Sequence, residues 1–399
     1  MRLKLILTAA VVGTAVSLLT AVAPATAFVY VTNQRSADVS QYAIGTGGLL
    51  SGLTPPTVAA GRAPEGVAVS PDGKSAYVVS IVDNTVSQYD IDPASGALSP
   101  KAPTTVAAGG GPLRITVTPE GKSAYVTNGN TGVDTVSQYD IDPASGALSP
   151  KAPATVAAGS SPQEVAVTPD GKSAYVTNLF DSTVSQYDID PVSGTLSPKT
   201  PPAVASQFNP LGIAVTPDGR SAYVANLSGV GVSQYNIDPI SGTLSPKAPP
   251  LVLAGLGPQH VAVTPNGESA YVTNANSGLG IDVSQYDIDP VSGALTAKTP
   301  AAVAAGTGPT GVVVSPDGNS AYVTNFNSNT VSQYDIAPAS GALSPKDPVT
   351  VATDSGPIGI AVTQLPRVPT SKEQCKNGGW RNFPQFKNQG QCIAFLNHG

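Results

Sequence analysis

Short segments in which apolar and polar residues alternate recur along most of the chain. Each copy contains Ser-Ala-Tyr-Val-Thr-Asn or a close variant, followed a few residues later by Val-Ser-Gln-Tyr. The two motifs together hold all 14 tyrosines, and successive copies are 47 to 51 residues apart, counted between the first tyrosines at Tyr30, Tyr77, Tyr125, Tyr175, Tyr223, Tyr271 and Tyr322. A period near fifty residues, built from short strands, indicates one supersecondary unit copied around an axis.

The second copy shows the strands predicted for every unit. Apolar or alternating segments at 66–70, 75–79, 85–91 and 98–108 are separated by turn motifs such as Pro-Asp-Gly and Asp-Pro-Ala-Ser-Gly. Such spacing is typical of an antiparallel meander. Four strands in each of seven units predict an all-β fold, a seven-bladed β-propeller of four-stranded antiparallel blades. Pro100, Lys101 and Pro103 in the fourth strand suit an outer edge of the blade, where they would block edge-to-edge pairing.

The first and last copies are incomplete in complementary ways. The chain after residue 27 begins almost on the second strand of a unit, and a spare first strand, Ile-Gly-Ile-Ala-Val-Thr, stands at 358–363. We therefore predict that the C-terminal segment supplies the innermost strand of the first blade. This pairing would close the ring without a covalent bond.

Composition separates the two ends of the chain from the propeller, which we place at 28–365. Residues 1–27 carry two basic residues, an apolar run and an Ala-Thr-Ala site, which predict a cleaved signal peptide and export. A retained transmembrane anchor is the alternative, and no later stretch is long and apolar enough to span a bilayer. Residues 366–374 are predicted to be a linker, and 375–399 a short segment closed by a disulfide between Cys375 and Cys392.

The charge of the chain excludes one class of partner and leaves others open. Without Arg2 and Lys4 the chain has 18 basic and 26 acidic residues, a net charge of −8. The propeller has no basic stripe, so we expect no nucleic acid to bind. The basic, aromatic C-terminal segment suggests docking on an anionic cell-wall polymer or a surface protein, or it buries its aromatic residues within its own disulfide loop. We expect a secreted or cell-surface monomer.

The repeats resemble those of the YVTN-type seven-bladed propellers of bacterial and archaeal surface-layer and exported proteins. They are also similar to the repeats of the propeller lactonases, which include 6-phosphogluconolactonase-like enzymes. The resemblance covers residue 28 to about 365, and the C-terminal segment looks like a short appendage on exported actinobacterial proteins. It implies a propeller fold, and it leaves both an enzyme and a binding protein open.

Differences between the copies indicate where function lies. The turns at one end of the blades barely change, whereas the loops at the other end vary, and such loops on a rigid scaffold usually carry binding residues. At the start of the innermost strand most copies have glycine, but three have Arg114, Glu164 and His260. All three are expected at the mouth of the central channel, where they could polarise a carbonyl and activate water. The lactonase resemblance implies a site there. The alternative is drift at a solvent-lined position, with Arg114 and Glu164 forming an ion pair.

Further candidates for ligand binding lie nearby. Glu65, Gln163 and Gln259 stand one position before the channel position in their copies. The variable loops also carry acids that could contact a ligand or bind a divalent ion: Asp83, Asp134, Asp181 and Asp282. We predict no metal site and no cofactor, because the chain has no haem-attachment motif and no phosphate-binding glycine loop. It also has no nucleophile-elbow serine.

Two classes of function follow from these patterns. The sequence favours an exported, surface-associated module that binds a small ligand or a partner. The reason is that the blades are nearly identical and offer few position-specific polar residues. The alternative is a lactonase-like hydrolase that uses Arg114, Glu164 and His260. A purely structural surface protein is a third possibility.

Overall fold

A computed structural model describes residues 27–130, 132–229, 231–275, 282–363, 372–376 and 389–398. Its strands form seven four-stranded antiparallel sheets. The innermost strand of each sheet packs against the innermost strands of the sheets on both sides, so the sheets form a closed ring. The prediction of an all-β, seven-bladed propeller is therefore confirmed.

Each blade contributes four strands, numbered in chain order. The innermost strands are β4 (Pro64–Val69), β8 (Pro112–Val117), β12 (Pro162–Val167), β16 (Pro210–Val215), β20 (Pro258–Val263), β24 (Pro309–Val314) and β28 (Pro357–Val362). The second strands are β1 (Phe28–Asn33), β5 (Ser75–Ser80), β9 (Ser123–Asn128), β13 (Ser173–Asn178), β17 (Ser221–Asn226), β21 (Ser269–Asn274) and β25 (Ser320–Asn325).

The third and fourth strands complete the blades towards the outside. The third strands are β2 (Asp38–Ile44), β6 (Thr85–Ile91), β10 (Thr135–Ile141), β14 (Thr183–Ile189), β18 (Gly231–Ile237), β22 (Val283–Ile288) and β26 (Thr330–Ile336). The fourth are β3 (Leu50–Ala59), β7 (Leu98–Ala107), β11 (Leu148–Ala157), β15 (Leu196–Ala205), β19 (Leu244–Leu253), β23 (Leu295–Val303) and β27 (Leu343–Ala352). The remaining elements are a 3₁₀ turn at Thr46–Gly48 and two helices, α1 (Lys372–Cys375) and α2 (Gln389–His398).

The C-terminal strand closes the ring, as predicted. Blade 1 has the strand order β28-β1-β2-β3, and blades 2 to 7 follow in chain order from β4 to β27. Tyr30 pairs with Ala361 and Val31 with Ile360 across the closure. The Phe28 amide also donates to the Thr363 hydroxyl oxygen at 2.8 Å. The two ends of the propeller sequence thus share one sheet.

The repeated tyrosines join the blades. All 14 hydroxyls donate to a backbone carbonyl of a neighbouring blade. Tyr77, for example, donates to the Gly146 carbonyl at 2.6 Å in the next blade. Burial raises the pKa of Tyr89 to about 12, so its hydroxyl remains a donor at physiological pH. The motif persists in every copy because each interface needs the same two bonds.

The fourth strand is the outer edge of its blade, as predicted, but its lysine is buried, so Lys101 does not block pairing there. Its side chain is 4% exposed and pairs with Asp90, and its Nζ also donates to the Ser145 carbonyl of the next blade at 2.6 Å. The same arrangement recurs at Lys151, Lys199, Lys298 and Lys346. In blade 5, Lys247 contacts Asn236 instead of an aspartate, at 2.6 Å. The lysine therefore joins neighbouring blades.

The disulfide between Cys375 and Cys392 is present, and it joins α1 to α2. The predicted signal peptide at 1–27 lies outside the described residues except for its last residue, and most of the predicted linker at 366–374 also lies outside them. Among the helices that the structure describes, none is long and apolar enough to cross a membrane.

The exceptional lysine of blade 5 generates a prediction about stability. Burial lowers the pKa of Lys247, so its charge costs stability at neutral pH, and the cost is recovered as the pH rises above the folded-state pKa towards the ordinary value of 10.5. We expect Asn236→Asp to raise the free energy of unfolding in urea at pH 7 by about 1 kcal/mol, because it supplies a charged acceptor. The matched change Asp188→Asn in blade 4 should lower it by a similar amount. Equal effects of the same sign from both variants would contradict this account.

Candidate functional site

The start of each innermost strand lies at the wall of the central channel. The third residue of each strand is Gly66, Arg114, Glu164, Gly212, His260, Gly311 or Gly359 in blades 2 to 7 and 1. Six of these residues, including Arg114, Glu164 and His260, line one cavity of about 60 Å³. That volume holds roughly two water molecules. The structure therefore brings together the three ionisable residues that the sequence singled out.

Glu164 and His260 form a direct contact although they belong to blades 4 and 6. The Nε2 atom of His260 lies 3.1 Å from Oε1 of Glu164. The Val312 amide points at the other ring nitrogen, Nδ1, at 3.5 Å. Because an N–H group faces Nδ1, this nitrogen carries the lone pair and Nε2 carries the proton. Glu164 and the Val312 amide therefore engage both ring nitrogens of His260 and fix the orientation of the imidazole.

The glycine between these two residues makes their contact possible. A Cβ atom at Gly212 in blade 5 would lie 2.7 Å from Cα of His260 and 3.3 Å from Oε2 of Glu164. Any side chain at this position would occupy the space through which Glu164 reaches His260. Glycine at position 212 in blade 5 is therefore required for the contact between the two ionisable groups.

Arg114 has a different partner from the one that the drift interpretation assumed. Its Nη1 lies 3.1 Å from Oε2 of Glu65 in blade 2, and the side chain of Glu65 is only 10% exposed. The predicted ion pair between Arg114 and Glu164 is not the contact found. The charge of Arg114 nevertheless contributes to lowering the pKa of Glu164.

The pKa of Glu164 reflects a balance between burial and charge. Burial raises it, but the attraction and hydrogen bond of His260, the charge of Arg114 and the Ile213 amide outweigh burial and lower the pKa below its usual range. The carboxylate is therefore ionised at physiological pH. An ionised carboxylate can accept a proton, which is what a general base requires.

Threonines of the second strands hold the three site residues by their backbones, a feature that sequence reasoning missed. The Thr177 hydroxyl accepts from the Glu164 amide at 3.1 Å and donates to the Leu211 carbonyl of the next blade at 2.5 Å. Thr273 does the same for His260, with 3.1 Å from its amide and 2.5 Å to the Thr310 carbonyl. Thr127 binds the Arg114 amide at 3.1 Å. Blades 2 and 5 have Val79 and Ala225 at this position, and both of these blades have glycine at the channel.

The other candidate residues contact their own loops or the connections between blades. The Gln163 amide donates to the Ser161 hydroxyl at 3.0 Å, and Gln259 is partly buried beside His260 in the chain. Each loop acid accepts from a backbone amide of a connection between blades: Asp83 from Arg62, Asp134 from Ser161, Asp181 from Ser160 and Asp282 from Ala305. These four acids lie on four different blades. Within the described ranges, no three His, Cys, Asp or Glu side chains are grouped so that they could hold a metal ion.

Together these features define a seven-bladed propeller with a carboxylate, an imidazole and a guanidinium at its channel. The family model described as "Lactonase, 7-bladed beta-propeller" matches residues 19–206, 109–279 and 276–361. The chain therefore belongs to the lactonase-type family of seven-bladed propellers. No curated protein matches it.

Solved structures agree in fold at low sequence identity. A putative 6-phosphogluconolactonase from Bacteroides fragilis has 20% identity and a TM-score of 0.74, over 86% of this chain and 99% of its own. The periplasmic gluconolactonase of Pseudomonas aeruginosa has 19% identity and a TM-score of 0.69, over 86% and 100%. Kuenenia stuttgartiensis hydrazine synthase has 23% identity and a TM-score of 0.60, over 77% and 92%. These similarities establish the architecture.

The threonine contacts generate a prediction about His260. We expect Thr273→Val to release the His260 backbone and to lower the share of the Nε2-protonated tautomer, which ¹⁵N NMR of the imidazole measures. Only two histidines are present, so the signal is readily assigned. Thr32→Val is the control, since Thr32 makes the same bonds to Gly359 and Glu65 in blade 1. Identical His260 signals in both variants and the wild type would contradict a positioning role.

Proposed function

We propose that the protein is a lactonase-like hydrolase whose site is the channel mouth formed by Arg114, Glu164 and His260. The observation that carries the proposal is the contact between Glu164 and His260 beside Arg114 in a single cavity. Membership of the lactonase-type family supports it. Two of the similar structures are a putative 6-phosphogluconolactonase and a gluconolactonase, which adds support at the level of fold.

The geometry suggests a role for each side chain in hydrolysis. Water attacks the lactone carbonyl carbon while the Glu164 carboxylate takes a proton from it, and His260, whose Nε2 lies 3.1 Å from that carboxylate, holds it in place. Arg114 stabilises the negative charge that develops on the carbonyl oxygen. The bond between the carbonyl carbon and the ring oxygen then breaks, and Glu164 returns the proton to that oxygen. The product is the open-chain hydroxy acid, and no further reactant is required.

The size of the cavity limits how substrate binds. About 60 Å³ accommodates water and a carbonyl group but not a whole sugar ring. The carbonyl end of the lactone would therefore enter the cavity, and the rest of the substrate would lie on the face that carries the variable loops.

This proposal is tested by the hydrolysis of a panel of sugar and alkyl lactones. We expect Glu164→Gln, His260→Asn and Arg114→Ala each to lower kcat/KM by about 100-fold or more, with unchanged melting temperature. Lys172→Ala is the control, because Lys172 is exposed on the opposite face of the ring. No turnover by the wild type above buffer would contradict hydrolysis and would return attention to the binding-module interpretation, which the comparisons do not support.

Export and the role of the C-terminal segment are further proposals. Arg2 and Lys4 ahead of an apolar run support removal of residues 1–27. The mass of the protein recovered from culture medium tests this, and an intact N-terminus would contradict it. Docking of the disulfide-closed segment on a cell-wall polymer or a surface protein would make the protein pellet with the wall fraction in a manner that depends on 375–399.

A further inference from the structure

One sector of the variable face carries large apolar side chains that are exposed. Phe180 is 61% exposed on the loop between β13 and β14 of blade 4. Phe208 and Leu256 are 69% and 58% exposed on the connections that lead into blades 5 and 6. We refer to Phe180, Phe208 and Leu256 as the apolar arc. Exposed aromatic and aliphatic side chains in neighbouring positions are typical of ligand-binding surfaces.

The apolar arc is a property of this sector and not of the repeat. Phe208 and Leu256 each stand two residues before the proline that begins an innermost strand. The same position holds small or polar residues in the other five blades: Arg62, Gly110, Ser160, Thr307 and Ser355. Since the repeat accommodates serine or glycine here, its fold does not require a large apolar residue. Large apolar residues at this position in two successive blades therefore indicate a binding role on the surface.

Backbone hydrogen bonds show that the segments carrying Phe180 and Phe208 adjoin one another. The Ser206 amide, two residues before Phe208, donates to the Ser182 carbonyl at 2.9 Å, and Ser182 is two residues after Phe180. The next loop joins the same connection, because the Leu227 amide donates to the Asn209 carbonyl at 2.9 Å. The segment that carries Phe208 is thus bound to the loops on both of its sides.

The apolar arc also leads directly to the candidate site. Residues 208–212 run from Phe208 through the half-buried Leu211 to Gly212, the glycine between Glu164 and His260. Leu256 stands four residues before His260 in the same way. A molecule whose carbonyl lies in the cavity would therefore rest the remainder of its chain on this sector.

We infer that the substrate is a lactone bearing a hydrocarbon chain, which lies on the apolar arc while its carbonyl occupies the cavity. This inference rests on the proposed function and adds the substrate class. Arg114 binds the polar end at the channel, and Phe208 and Leu256 cover the chain at the rim. Each methylene group that leaves water on such a surface is expected to strengthen binding by about twofold to fourfold.

Binding of lactams that cannot be hydrolysed readily separates this inference from catalysis. Isothermal titration calorimetry would compare γ-propyl- and γ-heptyl-γ-butyrolactam on the full protein. We expect the heptyl compound to bind about tenfold or more tightly, through four additional methylene groups. In a Phe208→Ser, Leu256→Ser variant the ratio should fall below about threefold, because serine already occupies this position in blades 1 and 4. The control is Ile240→Ala, since Ile240 is 96% exposed on the opposite face and alanine occupies its position in blades 2 and 3.

The outcomes distinguish the two claims. Equal affinity of the wild type for both lactams would overturn the hydrocarbon-chain inference, and turnover of short lactones would still support hydrolysis. A large ratio that the serine variant preserves would also overturn it, because the chain would then bind elsewhere. A ratio that depends on Phe208 and Leu256, without turnover of the corresponding γ-alkyl lactones, would support the chain-binding surface and overturn the proposed hydrolysis.

Discussion

The close approach of the innermost strands at the channel wall is the constraint on which the site depends. Where two such strands meet, the backbone of one blade lies almost against the next, and a Cβ atom at Gly359 would stand 2.2 Å from the Glu65 carbonyl oxygen. At most blades only glycine fits this position. Three blades have a side chain at this crowded position, and in each of them the side chain is ionisable: Arg114, Glu164 and His260.

The same close approach explains how residues far apart in the chain act together. Glu164 and His260 are separated by 96 positions and one whole blade, yet they are in contact because Gly212 leaves the intervening wall bare. The threonines fix the backbones on both sides. Around this centre, the tyrosines and the buried lysines join neighbouring blades through hydrogen bonds.

The fold could be predicted from the sequence because seven copies repeat the same signal. The closure by β28 also followed from counting strands, and the site trio from the three replacements of glycine. The partners could not be predicted, since whether Arg114 reaches Glu65 or Glu164 depends on side-chain direction across two blades. Lys101 was placed wrongly because lysine in an edge strand is usually exposed, and only the structure shows that the next blade covers it. The role of the bridging threonines could have been predicted from the sequence, since Val79 and Ala225 replace threonine only in blades whose channel residue is glycine.

Membership of the lactonase-type family fixes the architecture, and the activity depends on whether the channel mouth receives a carbonyl group. A crystal structure of the protein with γ-heptyl-γ-butyrolactam tests this most directly. We expect the lactam oxygen within hydrogen-bond distance of the Arg114 guanidinium, with the carbonyl carbon facing the Glu164 and His260 pair and the alkyl chain over Phe208. A lactam bound at another part of the surface, with the contact between Glu164 and His260 closed to it, would contradict the account.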